Sequence, residues 1–175
     1  PKANAAMVYD AARGCTVLMG GFYAPIAGFP EYLTSNQVWE YRSDGVTGVW
    51  TRSSGSLPQP RESLQAVYDA SRSTIVAYGG LSSGNGSTDV LERGPGSDQW
   101  TVVTPQTSPG PQRGHSMAYD SVRSATYLVA GGSGTVQVWV WSPNATPPAW
   151  TLVNAANAPG TRFRMGLAFD PRPNR

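Results

Sequence analysis

The stretch Leu64-Gln65-Ala66-Val67-Tyr68-Asp69-Ala70-Ser71-Arg72-Ser73-Thr74-Ile75-Val76-Ala77-Tyr78-Gly79-Gly80 decides the fold. Two short runs of β-branched and aromatic residues flank a polar turn, the composition of an antiparallel strand pair. Asp69 stands where its side chain can cap backbone N–H groups of that turn. Gly79-Gly80 ends the second run at a point that needs a positive φ or a close approach of another backbone. Beyond it, residues 82–87 read as a loop and residues 89–93 as a third strand. Gly94-Pro95-Gly96-Ser97 reads as a turn, residues 99–103, led by Trp100, as a fourth strand, and residues 104–111 as a Pro-rich connection.

The same order of markers recurs in both directions. Met7-Val8-Tyr9-Asp10, Ala66-Val67-Tyr68-Asp69, Met117-Ala118-Tyr119-Asp120 and Leu167-Ala168-Phe169-Asp170 are versions of one phrase. Gly20-Gly21, Gly79-Gly80 and Gly131-Gly132 follow the first three. Trp50-Thr51, Trp100-Thr101 and Trp150-Thr151 then come at intervals of 50 residues. A fixed period of this length is a repeat architecture. One four-stranded antiparallel sheet cannot bury both its faces alone, so copies must stack, and the radial solution is a β-propeller.

Composition narrows the function classes. The chain has 175 residues, 14% charged, with 20 Gly and 15 Pro, which suits an all-β protein of short strands and turns. The net charge of +2 is small and the basic residues are scattered, which argues against nucleic acid as a partner. Cys15 is the single cysteine, in an apolar run, and reads as a small buried hydrophobe. No apolar run is long enough for a membrane-spanning helix. One His and one Cys cannot assemble a metal site, and no nucleophile elbow is present, so no cofactor and no catalytic residue is expected within this segment.

These markers resemble the kelch repeat: an apolar strand ending near Tyr-Asp, a second ending in Gly-Gly, then an aromatic ahead of a Trp. Tyr41 precedes Trp50 by nine residues and Trp141 precedes Trp150 by nine, whereas the second repeat has Glu92 or Arg93 in that place. Pro111-Gln112-Arg113-Gly114-His115-Ser116-Met117-Ala118-Tyr119-Asp120 is similar to the opening of such a repeat. The resemblance implies a kelch-type β-propeller of four-stranded antiparallel blades, with about three and a quarter blades present as a partial ring. Blade 1 would span 1–53, blade 2 61–104, blade 3 112–153, and the first strand of blade 4 162–170. The remaining blades are expected from a longer chain, the alternative being ring closure by a second copy. The chain begins Pro1-Lys2, which reads as a processed or excised segment.

In that arrangement the loops after Gly-Gly and the connections between repeats open on one face, which carries ligands. The loop at 22–37 is longer than its counterparts, with an aromatic, Pro-stiffened insertion holding Tyr23, Phe29 and Tyr32. The connections add Arg61, Glu62, Arg113, His115, Arg162 and Arg164. Lys2, Arg61 and Arg162 each stand eight residues before a repeat Asp, an offset that would build a positive annulus unless these cations pair within the scaffold. The candidate ligand-binding set is Tyr23, Phe29, Tyr32, Arg61, Arg113, His115 and Arg164. Asp10, Asp69, Asp120 and Asp170, with Arg13, Arg72 and Arg123, read as turn-capping and pairing residues, and Trp50, Trp100 and Trp150 as packing between blades.

The function this supports is non-enzymatic recognition of a protein or glycan at the loop face. One alternative is the scaffold of an extracellular carbohydrate-active enzyme of the oxidase kind, with its catalytic groups outside this segment. The other is a structural component of a cell-surface assembly. Low charge with abundant Ser, Thr, Gly, Asn and Trp suggests a secreted or surface protein.

Overall fold

The computed structural model describes residues 2–23 and 33–172. All regular structure in them is β. Sheet 1 contains β1 (Lys2–Asp10), β2 (Cys15–Tyr23), β4 (Gln37–Ser43) and β5 (Gly48–Ser56) in sequential antiparallel order, with β3 (Leu33–Thr34) paired to the end of β2. Sheet 2 contains β6 (Gln65–Asp69), β7 (Thr74–Tyr78), β10 (Val90–Arg93) and β11 (Thr101–Val103). A two-stranded hairpin, β8 (Leu81–Ser82) with β9 (Asn85–Gly86), stands where a plain loop was expected. Sheet 3 contains β12 (Ser116–Asp120), β13 (Ala125–Gly131), β14 (Val136–Ser142) and β15 (Ala149–Val153). Among the described residues no helix is long and apolar enough to cross a membrane.

The expected unit boundaries differ at two ends. Sheet 1 runs on to Ser56, three residues past 53, because Gln37 pairs with Ser56 across an irregular register. Residues 164–169 form no strand. A strand exists only by pairing, and no described segment lies alongside to pair with this one. The segment lies against sheet 3 instead: Arg164 N donates to Gly114 O at 2.7 Å, and the Ser116 hydroxyl donates to Met165 O.

Alternation along each strand gives each sheet two apolar faces. One core forms between sheets 1 and 2, from Ala6, Cys15, Val17, Met19 and Val38 against Leu64, Ile75, Ala77, Leu91 and Trp100. The second forms between sheets 2 and 3, from Val67, Val76, Tyr78 and Val90 against Met117, Leu128, Trp141 and Trp150. Each such Val, Ile or Leu contributes about 1.5–3 kcal/mol by leaving water. Trp100 and Trp150 are buried in these layers as expected, but Trp50 is 45% exposed, because no described sheet covers its face.

Polar clamps edge each core. The repeat Asp accepts turn N–H groups as expected: Arg13 N on Asp10, Ser71 N and Arg72 N on Asp69, Val122 N and Arg123 N on Asp120. Arg13, Arg72 and Arg123 also pair with those aspartates. Between sheets 1 and 2, the buried Arg93 guanidinium donates to Glu40 and to Asp98, and Arg13 reaches Asp98 at 2.8 Å and Glu40 at 3.3 Å. Arg93 thus occupies the place of the missing aromatic and exchanges stacking for an ion network. Between sheets 2 and 3, Glu92 accepts both Arg72 nitrogens, at 3.0 and 2.9 Å, and the Trp141 indole N–H at 3.2 Å.

The ion network between sheets 1 and 2 predicts sensitivity to acid. Arg13 and Ser54 hold the Asp98 carboxyl well below the usual range, with Arg93 adding to them against burial. Burial opposes ionisation of Glu40, but Arg93 and Arg42 outweigh it, so its pKa also falls. Unfolded carboxylates titrate near pH 4, so this stabilisation is complete above about pH 4–5 and is lost as pH falls through the lower folded values. Thermal melts are expected to show the midpoint dropping in that acid range. Asp98→Asn should lower the midpoint at pH 7 and flatten the drop; wild-type acid sensitivity in that variant would place the labile element elsewhere.

Candidate functional site

The connections between sheets are set by the glycine pairs. Gly20 has φ +68°, and a Cβ there would lie 2.5 Å from Arg61 O. Gly79 has φ +71°, and a Cβ there would lie 2.7 Å from Gln112 O and 2.8 Å from His115 Cε1. The bare backbone lets the connection leading into the following sheet cross each strand end. Gly21 N then donates to Arg61 O at 2.7 Å and Gly80 N to Gln112 O at 2.8 Å. The connections are thereby stacked beside one another at one end of the sheets.

Their crossing point is built from one repeat position, six residues before each repeat Asp. Asn4, Ser63, Gly114 and Arg164 occupy it, all with positive φ, at 53°, 57°, 69° and 56°. Ser63 N donates to Asn4 O at 2.8 Å. Two adjoining recesses share these four residues. The inner one, about 230 Å³, adds Ala5, Leu64, Gln65, His115 and Met165. The outer one, about 420 Å³, adds Glu62, Leu81, Arg113 and Phe163.

The expected site residues divide sharply. Arg113 and Arg164 are exposed and line the outer recess, and neither has an acid partner among the described residues. Phe163, which sequence reasoning overlooked, stands beside them 70% exposed. Glu62 faces the same recess and accepts Asn4 Nδ2–H at 3.0 Å. His115 is 1% exposed, with its ring against Tyr78, so it forms part of the inner wall rather than a free contact. Burial outweighs a contact with the Tyr78 backbone and lowers its pKa to about 4, which leaves the ring neutral at pH 7.

Arg61 corrects the expectation. It is 2% exposed, and its guanidinium donates to Gly79 O at 3.5 Å and Asp89 at 3.3 Å, bracing the connection against sheet 2. The positive annulus does not form, because Arg61 is buried and Lys2 is engaged with Ser35 Oγ at 3.0 Å and with the Tyr23 ring. Tyr23 lines neither recess; its hydroxyl donates to Gln37 at 2.9 Å. Phe29 and Tyr32 lie outside the described residues. A wider hollow, about 760 Å³, lies on the far face of sheet 3 beside residues 167–172, and its arginines, Arg123 and Arg172, are paired with Asp120 and Asp170.

No protein-family model matches the chain, and no curated protein matches it. Among solved structures, that of YjhT is similar, with a TM-score of 0.70 and 13% identity, covering 93% of this chain. The match covers 54% of that structure, so this chain spans about half its length. At that identity the likeness is one of fold.

Two substitutions separate scaffold from surface. Arg61→Ala removes the guanidinium that donates to Gly79 O and Asp89, leaving Asp89 the Ser87 hydroxyl, and is expected to cost about 2 kcal/mol in a denaturant melt. A neutral buried His115 is stabilising above the unfolded value near 6.5, and that stabilisation fades as pH falls toward the folded value of about 4. His115→Leu, the residue present at the equivalent position as Leu64, should flatten the curve between about pH 5 and 6.5, above the range in which the Asp98 and Glu40 carboxylates titrate. A variant that kept the slope would show that another group titrates there.

Proposed function

We propose that this chain is part of a kelch-type β-propeller and acts as a recognition module. Its ligand would be a carboxylate-bearing group on a glycan or protein, held at the crossing of the connections. The observation that carries this reading is the two guanidinium groups, Arg113 and Arg164, that have no acid partner among the described residues, beside the exposed Phe163 ring. A planar guanidinium matches a carboxylate in both charge and hydrogen-bond geometry. Phe163 offers an apolar plate for a sugar or side-chain face, and Asn4, Ser63 and Glu62 supply polar partners for hydroxyl or amide groups. The repeat phrases, together with three successive antiparallel sheets, one of five strands and two of four, packed face to face, support the radial arrangement. A secreted or cell-surface setting, suggested by composition, would suit such a ligand.

A structural role in a cell-surface assembly is the second reading. It draws on the aromatic outer face of sheet 1, where Met7, Tyr9 and Trp50 are exposed.

Retention on immobilised polygalacturonate and on polyglutamate, each beside its uncharged ester, tests the first reading. Retention is expected on the acids and not the esters, and should fall as salt screens the charges. Arg113→Ala with Arg164→Ala should cut it about tenfold or more, as loss of two charge-assisted contacts implies, with circular dichroism unchanged. Equal retention of variant and wild type would refute the site.

A further inference from the structure

The outer recess carries charges of both signs that do not pair with one another. Glu62, Arg113 and Arg164 all line it, and no ion pair joins Glu62 to either arginine. Glu62 is held from two other sides. Its backbone exchanges hydrogen bonds with Leu81, Glu62 N to Leu81 O at 3.0 Å and Leu81 N to Glu62 O at 2.8 Å. Its Oε2 accepts Asn4 Nδ2–H at 3.0 Å, and its Oε1 has no protein donor among the described residues. The carboxylate is thereby fixed in the wall, half-buried, with one oxygen open to the recess.

The order of these charges follows the repeat. The positions seven and six before each repeat Asp hold Ala3-Asn4, Glu62-Ser63, Arg113-Gly114 and Phe163-Arg164. The repeat Asp is the same residue in all four copies, whereas at these two positions no residue recurs. Hydrogen bonds tie the connections together there, Ser63 N to Asn4 O at 2.8 Å and Arg164 N to Gly114 O at 2.7 Å. The recess is thus walled by an acid from one connection, a base from the next, and a second base with an aromatic ring from the one after.

That arrangement is poorly matched to a simple anion. A carboxylate fixed in the wall repels a second one and so disfavours a ligand that brings negative charge alone. A carboxylate also accepts hydrogen bonds without donating any, so Glu62 calls for a donor. An ammonium group beside the ligand's own carboxylate turns that repulsion into attraction, and a charge-assisted bond to Glu62 is the stronger kind.

We propose that the outer recess is a site for a small zwitterion of the α-amino-acid class, free or as a dipeptide, with an apolar side chain. Arg113 and Arg164 take its carboxylate, Glu62 its ammonium, and the Phe163 ring and Leu81 its side chain. The assignment rests on the carboxylate reading above and narrows it to an acid with an amine on the same molecule. The recess, about 420 Å³, falls within the span of small-molecule sites, about 300–1,000 Å³.

Calorimetric titration at pH 7 and low salt tests this with probes that share one ring. Phenylalanine and glycylphenylalanine carry both charges, closer together in the first than in the second. N-acetylphenylalanine carries the carboxylate alone. At least one of the zwitterions is expected to bind about tenfold more tightly than the acetylated acid. The tighter of the two separates a free amino acid from a dipeptide. Glu62→Gln keeps the size of the side chain and an oxygen for Asn4, and should abolish the preference. Arg113→Ala with Arg164→Ala should weaken every probe. N-acetylphenylalanine binding as tightly as both zwitterions, a preference that survives Glu62→Gln, or no binding of either zwitterion would each overturn the proposal. Retention on polyglutamate in those cases would leave the carboxylate reading standing, and its loss would overturn that reading as well.

Discussion

Each sheet here is a single hydrogen-bonded layer with an apolar face on either side. Such a layer is stable only between neighbours, because either face left in water forfeits the burial that offsets the entropy of ordering the strands. Every other feature answers to that constraint. Val17, Ile75 and Leu128 are fully buried, yet each belongs to a layer only one side chain thick. The glycine pairs, the capping aspartates and the crossing connections exist to bring successive sheets close enough for such layers to form.

The polar clamps answer a different need. A buried ion network such as Arg13–Glu40–Arg93–Asp98 gains roughly what it loses in desolvation, so the apolar layer supplies most of the cohesion. What the clamp does is discriminate. Glu40 and Glu92 stand at one register position, opposite Thr51 and Thr101, and each reaches a donor on the following sheet. Arg93 answers the first and Trp141 the second. At the third such position Val140 faces Thr151, no acceptor remains, and the Arg123 side chain is 69% exposed. Neighbouring sheets are thus paired by matched donors and acceptors laid over a common apolar layer.

Much of this was legible in the sequence. Tyr68-Asp69, Gly79-Gly80 and Trp100 mark the strands of sheet 2 because turn chemistry and backbone approach are local demands, which particular residues must meet wherever they recur. The buried Cys15 and the Asp–Arg turns followed from the same logic. The site was harder to read. Arg61 and Arg113 look equally cationic in sequence, but only the crossing of the connection over Gly20 and Gly79 shows that Arg61 turns inward to Gly79 O and Asp89. Glu92 and Arg93 looked like a lapse in the pattern. They are partners for residues on sheets on either side, a relation between separate repeats that spacing along one chain cannot express. Phe163 was overlooked because nothing in its own repeat marks it, and its meaning comes from the neighbouring Arg113 and Arg164.

Position within the repeat also separates side chains that the fold engages from side chains that it leaves at the surface. Asn4, Ser63, Gly114 and Arg164 share one left-handed backbone conformation. Glycine adopts it without strain, and asparagine is among the residues that tolerate it. Arginine is not a favoured residue there and costs roughly 1 kcal/mol or more. The fold does not require that side chain, because Gly114 fulfils the same backbone role one sheet earlier, accepting the hydrogen bond from Arg164 N. The guanidinium makes no ion pair among the described residues, so packing does not explain it either. Arg164 thus strains the backbone, ion-pairs with nothing among the described residues and lines an open recess, so neither backbone geometry nor ion pairing selects it. This separates Arg164 from Arg61, whose guanidinium is spent on the scaffold, and it is the ground on which the proposed carboxylate ligand rests.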